Sequence, residues 1–187
     1  PIIIILSVII IISNQQKVTK QIDCRDCSVI LISIDTLRAD HLGIYGYERN
    51  TSPNIDKFAK ENILFQNFHS QTTYTLASHT SIFTSLYPFN HKVYGHRNKI
   101  NNSSITLPEI LKLYGYTSVA YIGTNNTGVL DSPIFEKIFD IYNKDEDPDE
   151  TTRGTIPINT TSFLIKNWLN HNSNKKFFLF WHIYDVH

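Results

Sequence analysis

Three short stretches of the chain concentrate the side chains that could do chemistry. Asp35-Thr36-Leu37-Arg38-Ala39-Asp40-His41 combines carboxylates with an imidazole, His69-Ser70-Gln71-Thr72-Thr73-Tyr74-Thr75 is rich in hydroxyls, and His182, Asp185 and His187 sit close together near the other end. A carboxylate, hydroxyls and imidazoles that converge could bind a divalent cation beside a nucleophile. Singly, each is ambiguous. Asp35 alone reads equally well as a helix cap, and His182, next to Trp181, as a satisfied core histidine.

The elements between these stretches decide whether they can meet. Residues 28–34, SVILISI, form a β-branched run suited to a strand buried on both faces of a parallel sheet, and the run ends on Asp35. Pro53 opens an amphipathic helix over 54–61, with Ile55, Phe58 and Ala59 at helical spacing. A strand is expected over 63–68, a helix over 77–86 stopped by Tyr87-Pro88, and a helix over 107–113 ending at Gly115. Residues 117–122 read as a strand, the charged run 143–150 as a solvated loop, and Thr160 or Thr161 as the cap of a helix carrying Phe163, Leu164, Trp168 and Leu169. A last strand spans 177–183. Strands alternating with helices predict an α/β domain, a mainly parallel central sheet with helices on both faces. Ligands gather at the carboxyl ends of such strands, and each of the three polar stretches follows an expected strand. Asp35 and Thr75 should therefore lie within about 8 Å, the span one hydrated cation can bridge.

Composition narrows the classes further. The 187 residues carry 17 basic and 17 acidic side chains, a formal charge of zero that removes the electrostatic case for a nucleic-acid partner. With 41% hydrophobic and 18% charged residues the chain can bury a core, which excludes a disordered protein. Cys24 and Cys27 are too few for a disulfide scaffold or a four-cysteine zinc site, leaving a small local disulfide, two free thiols, or a redox or metal pair. The first twelve residues, PIIIILSVIIII, are almost wholly apolar, and a polar spacer follows. That length suits a signal-peptide core or a clipped anchor. Residues 1–13 are accordingly read as signal peptide or membrane anchor, 14–27 as linker and 28–187 as the incomplete N-terminal part of a catalytic domain, working outside the cytosol. Four Asn-x-Ser/Thr triplets, at Asn50, Asn102, Asn125 and Asn159, fit the glycosylation pattern.

VILISIDTLRADHLGIYGY, with TSPNIDKFA, TLASHTSIFTSLYP, LPEILKLYGY and FFLFWHIYDVH, resembles the N-terminal part of a sulfatase-family enzyme, within the alkaline phosphatase superfamily, in the family's order from Val29 to His187. The resemblance implies an alkaline phosphatase-like three-layer sandwich, truncated at the C-terminus, and a divalent metal ion (calcium, magnesium, manganese or zinc). It makes Asp35 a metal-ligating carboxylate, with Thr36 where many arylsulfatases carry a second Asp, and leaves Asp40 unassigned. Thr75 falls where sulfatases carry the Cys or Ser that becomes formylglycine, so the resemblance makes it the nucleophile and a metal ligand. A threonine cannot yield that aldehyde, but its hydroxyl can attack phosphorus directly. His79 replaces the family's Arg beside the nucleophile, and His187 matches a histidine that faces the substrate's anionic oxygens. His91 matches a recurrent histidine near the site. Asn126 stands in Gly123-Thr124-Asn125-Asn126-Thr127-Gly128, where many members have a substrate-binding Lys and His. The implied activity is hydrolysis or transfer of sulfate or phosphate esters on a glycan, lipid or polymer. The competing reading is a non-catalytic sulfatase-like binding domain.

Overall fold

The computed structural model describes residues 27–95, 104–124, 133–144 and 155–187. Four strands form one parallel sheet: β1 (Val29–Ile34), β2 (Thr117–Ile122), β3 (Ile141–Lys144) and β4 (Phe177–Ile183), in the order β1-β4-β2-β3. The helices are α1 (Pro53–Glu61), α2 (Thr75–Thr84), α3 (Pro88–His91), α4 (Leu107–Leu113), α5 (Pro133–Ile138) and α6 (Ile158–Asn172).

Side-chain alternation along the strands divides the core into two layers. Phe178 and Phe180 of β4, with Ala120 and Ile122 of β2, pack against Leu76 and Phe83 of α2, Phe135 of α5 and the partly buried Leu107 and Leu111 of α4. The intervening residues Phe177, Leu179, Val119 and Tyr121 face Ile165, Leu164, Trp168 and Leu169 of α6. Helices thus cover both faces of a parallel sheet, the three-layer arrangement expected from the alternation of elements. Because all four strands run in parallel, the polar residues after β1, β2 and β4 emerge on one edge.

Several local expectations need correction. Residues 63–68 form no strand; they are a connection in which Ile63, Phe65 and Phe68 are 81%, 66% and 78% exposed. Their apolar positions do not alternate, so a strand there would have no single face to bury. Thr75 therefore follows a loop rather than a strand. Strand β1 lies at the end of the sheet and is not buried on both faces: Leu31 packs into the α2 side, whereas Ile30 and Ile32 are half exposed, because α6 covers β2 and β4 only. Helix α2 starts two residues earlier than predicted and stops at Thr84, where Ser85 turns left-handed at φ 56° before Tyr87-Pro88 is reached. Helix α6 begins after Pro157, so Thr160 and Thr161 are inside it rather than capping it. Thr161 is buried and its Oγ1 accepts the indole N–H of Trp181 at 3.1 Å. Asn143 and Lys144 of the charged run belong to β3, and 145–150 lie outside the described residues. Cys27 is disulfide-bonded, which removes the free-thiol alternative.

Candidate active site

The β1–β4 register builds the floor of the site. Ser33 lies opposite His182, and the ladder runs one bond past the strand, from the Asp35 N–H to the Ile183 carbonyl at 2.9 Å. Immediately beyond, Thr36 adopts φ 56°. A β-branched residue in the left-handed region costs roughly 1–2 kcal/mol, and the reversal it makes leaves Asp35 at the tip of the strand. The carboxylate is 9% exposed.

Thr75 is the first residue of α2, after the N-cap Tyr74. Its hydroxyl does not cap the helix. It donates to Asp35, 3.2 Å from Oδ2 and 3.5 Å from Oδ1, well inside the expected limit. The helix presents its positive end at this residue, which favours an alkoxide or a bound anion there. Loop geometry behind Asp35 is set by the TSPNID stretch: Ser52 Oγ accepts the Gly43 N–H and donates to Asp56, whose Oδ1 also accepts the Ile44 N–H.

Two buried histidines stand behind these groups. His79 donates from Nδ1 to the Thr75 carbonyl at 2.8 Å and accepts from the Ser33 hydroxyl at Nε2, 2.9 Å away. Burial, with the neighbouring His182 adding to it, pushes the His79 pKa down to about 4, so the ring is neutral at physiological pH. His182 donates from Nε2 to Asp35 Oδ2 at 3.3 Å, and its ring meets His79 edge to face at 5.4 Å. Burial pushes Asp35 up, but hydrogen bonding and charge from His182 and the Thr75 hydrogen bond outweigh it, and the carboxyl sits below its ordinary range.

The remaining predicted residues are placed differently. His187 is exposed and stacks on Tyr184 with ring centroids 4.2 Å apart. Burial, and after it the charge of Asp35, raises the pKa of Tyr184. Asp185 accepts the N–H of Ile158 at 3.0 Å and ties the loop to α6. His91, expected at the substrate, is instead fully buried in the core. Its Nδ1 accepts the Val93 N–H and its Nε2 donates to Ser81 Oγ, each at 3.0 Å, so no ring nitrogen is left for a substrate. Asn126 lies outside the described residues. Asp40, left unassigned, pairs with Arg38 and His41 on the surface. A depression lined by Gln71, Ser81, Ser85, Leu86 and Tyr87 lies toward the other end of α2 and includes neither Asp35 nor Thr75.

Among the described residues no three His, Cys, Asp or Glu side chains cluster closely enough to hold an ion. Asp35 and Thr75 still fit one side of a divalent-cation site: two oxygen donors converge, and among the described residues Asp35 Oδ1 has only the long Thr75 contact.

The sulfatase family model matches residues 28–187. The chain belongs to the sulfatase family. N-acetylgalactosamine-6-sulfatase of Rattus norvegicus is 32% identical over 104 residues, 49% of this chain and 20% of the rat protein. The phosphonate monoester hydrolase of Agrobacterium radiobacter superposes with a TM-score of 0.69 at 18% identity, over 86% of this chain and 41% of that one. The C-terminal periplasmic domain of EcEptC from Escherichia coli, solved in complex with zinc, superposes with a TM-score of 0.63 at 16% identity, over 86% and 44%. The alkaline phosphatase-like fold is therefore shared, and this chain spans about a fifth of the curated relative. Among the described residues no helix is long and apolar enough to cross a membrane; residues 1–13 lie outside them.

What the sequence did not single out is the set of contacts beneath the site. Ser33 looked like one more strand residue, and His182 stayed ambiguous. The β1 and β4 runs are six and seven residues long. Their common polar ends, Asp35 and His182, were the signal that could have paired them.

Proposed function

We propose that this protein is an extracytoplasmic, metal-dependent sulfatase-family hydrolase or phosphotransferase in which Thr75 is the nucleophile. One observation carries the reading: the Thr75 hydroxyl, at the positive end of α2, donates to the buried carboxylate of Asp35 at 3.2 Å. A hydroxyl aimed at a carboxylate rather than at its own helix backbone is held for chemistry or for a cation, not for capping.

Asp35 orients that hydroxyl but is a weak base, since its pKa lies below the ordinary carboxylate value. A divalent ion held by Asp35 and Thr75 would lower the hydroxyl pKa and neutralise charge on the ester oxygens. His79, neutral, fixes the Thr75 carbonyl and hence the first turn of α2. The end of α2 favours the anionic group as Thr75 Oγ approaches sulfur or phosphorus opposite the leaving oxygen. His187, exposed beside Tyr184, is available to an anionic ester oxygen. Threonine has no route to a formylglycine aldehyde, so phosphodiester or phosphomonoester cleavage or transfer is favoured over sulfate-ester hydrolysis. The substrate is an ester on a glycan, lipid or polymer. Residues 28–187 serve as the N-terminal part of the catalytic domain, 14–27 as linker and 1–13 as signal or membrane anchor.

The test is hydrolysis of p-nitrophenyl phosphate, bis-p-nitrophenyl phosphate and p-nitrophenyl sulfate by the intact protein with added Mn²⁺ or Zn²⁺. A phosphate ester should turn over fastest, and Thr75→Ala should abolish turnover while leaving the circular dichroism spectrum unchanged. Faster aryl sulfate hydrolysis, or a Thr75→Ala variant that keeps most activity, would refute the assignment. No turnover of any ester together with retained binding of sulfated or phosphorylated glycans would favour the non-catalytic binding domain.

A further inference from the structure

His182 is 1% exposed and lies on β4, a strand paired on both sides, with Ser33 of β1 and Ile122 of β2 as its register partners. It shares a sheet face with Phe178 and Phe180, which belong to the larger apolar cluster of the core. Its ring is enclosed by His79, Tyr184 and Phe180, with centroids 5.4, 6.0 and 6.3 Å away. One nitrogen, Nε2, reaches Asp35. The other, Nδ1, is buried with no hydrogen-bond partner among the described residues.

That asymmetry is informative because the same chain shows what a structural core histidine looks like. His91 is equally buried, and both its ring nitrogens are satisfied by neighbours within ten residues. His182 leaves one nitrogen unmet, at a cost of roughly 1–3 kcal/mol for a buried polar group, and spends the other on a carboxylate 147 residues away. Both ends of the ring select one tautomer. With the proton on Nε2, the donor faces Asp35 and the unmet atom is an acceptor. With the proton on Nδ1, a donor would be buried unpaired and a bare nitrogen would face the carboxylate.

The carboxylate needs such a partner. The terminal torsion of aspartate is broad, so the backbone at Asp35 does not fix which oxygen faces outward. Thr75 and His182 both engage Oδ2, which leaves Oδ1 as the lightly used oxygen at the site. We propose that His182 is a positioning residue: its Nε2–H locks the Asp35 carboxylate in the rotation that turns Oδ1 toward a bound cation beside Thr75. The proposal rests on the reading of Asp35 as a metal ligand, and its test separates the two.

In the metal-free intact protein, ¹⁵N-labelled histidine should show His182 protonated at Nε2 and bare at Nδ1, with the signal displaced in Asp35→Ala. Protonation at Nδ1 would overturn the proposal without reference to any metal. With Mn²⁺ as the probe, His182→Phe should weaken binding roughly 10- to 100-fold, the range for losing a group that orients a metal ligand. His182→Gln, whose amide can still donate to Asp35, should stay within a few-fold of wild type, and kcat should fall in the Phe variant with KM little changed. Wild-type Mn²⁺ affinity in a folded His182→Phe protein would overturn the proposal. If Phe at 182 prevents folding, the Gln variant and the tautomer decide. If Asp35→Ala itself binds Mn²⁺ like wild type, the metal reading fails, and the tautomer result alone judges the bond from His182 to Asp35.

Discussion

His79 gives the site a pH dependence that can be worked through before any substrate is known. The ring is 4% exposed, neutral, and lowered to about 4 from an ordinary 6.5 by burial and by His182. A group whose folded pKa is depressed in this direction binds more protons unfolded than folded between the two values. Stability therefore rises with pH across that window and is lost on acidification from about pH 6.5 toward pH 4. By linkage, protonating the unfolded ring costs roughly 1 kcal/mol of stability at pH 5.5 and roughly 2 to 3 kcal/mol at pH 4.5. Urea unfolding at pH 7.0, 5.5 and 4.5, in chelator so that no ion occupies the site, measures it. The comparison is with His79→Gln, which keeps hydrogen-bonding capacity but does not titrate. Acid-sensitive groups that do not interact with His79 act in both proteins and cancel in the difference. The stability difference between wild type and variant should shift by roughly 2 to 3 kcal/mol between pH 7.0 and 4.5, in the direction that penalises the wild type. A constant difference would mean that His79 is charged or solvent-open in the folded state, and the account of a neutral ring bonding Ser33 and the Thr75 carbonyl would be wrong.

Three further outcomes follow from the packing. Phe83 is 1% exposed and meets Phe135, Phe139, Phe178 and Phe180 at 5.0 to 6.5 Å, so Phe83→Ala should cost about 3–5 kcal/mol in chemical denaturation. A Cβ on Gly123 would sit 2.9 Å from the His182 carbonyl and 3.1 Å from the Tyr184 nitrogen, both backbone atoms. Gly123→Ala should therefore destabilise by roughly 1–3 kcal/mol and, by moving the end of β4, lower turnover more than an equally destabilising change at Phe83. Asp140 accepts from the N–H and Oγ of buried Ser118 and pairs with the exposed Lys112. Burial raises its pKa, the Lys112 and Ser118 bonds lower it, and the net value is below normal. Its contribution is present above about pH 4 and fades as pH falls through the folded value, so Asp140→Asn should flatten the acid limb of the stability profile, whereas Asp140→Ala should cost about 1–3 kcal/mol at pH 7.

The sequence alone determined the elements whose signals are local. The apolar run before Asp35, the run 177–183, the strand 117–122 and the helix 107–113 closed by Gly115 at φ +81° all appear where periodicity and end signals put them. The linked motifs around Asp35 and Thr75 also carried the family, because residue types at fixed short spacings survive in a linear reading. Only the tertiary structure decided what depends on neighbours distant in the chain. Residues 63–68 had strand-forming side chains but no single face to bury. The run at β1 read as buried on both faces, yet its place at the sheet edge leaves one face open. His91 and His182 are the same residue type in similar apolar settings; packing gave one partners within ten residues, Ser81 and Val93, and brought the other to a carboxylate 147 positions earlier. A histidine's hydrogen-bond partner is fixed by strand order and register, which arise from burying two side-chain layers at once, and no local stretch of sequence contains that information.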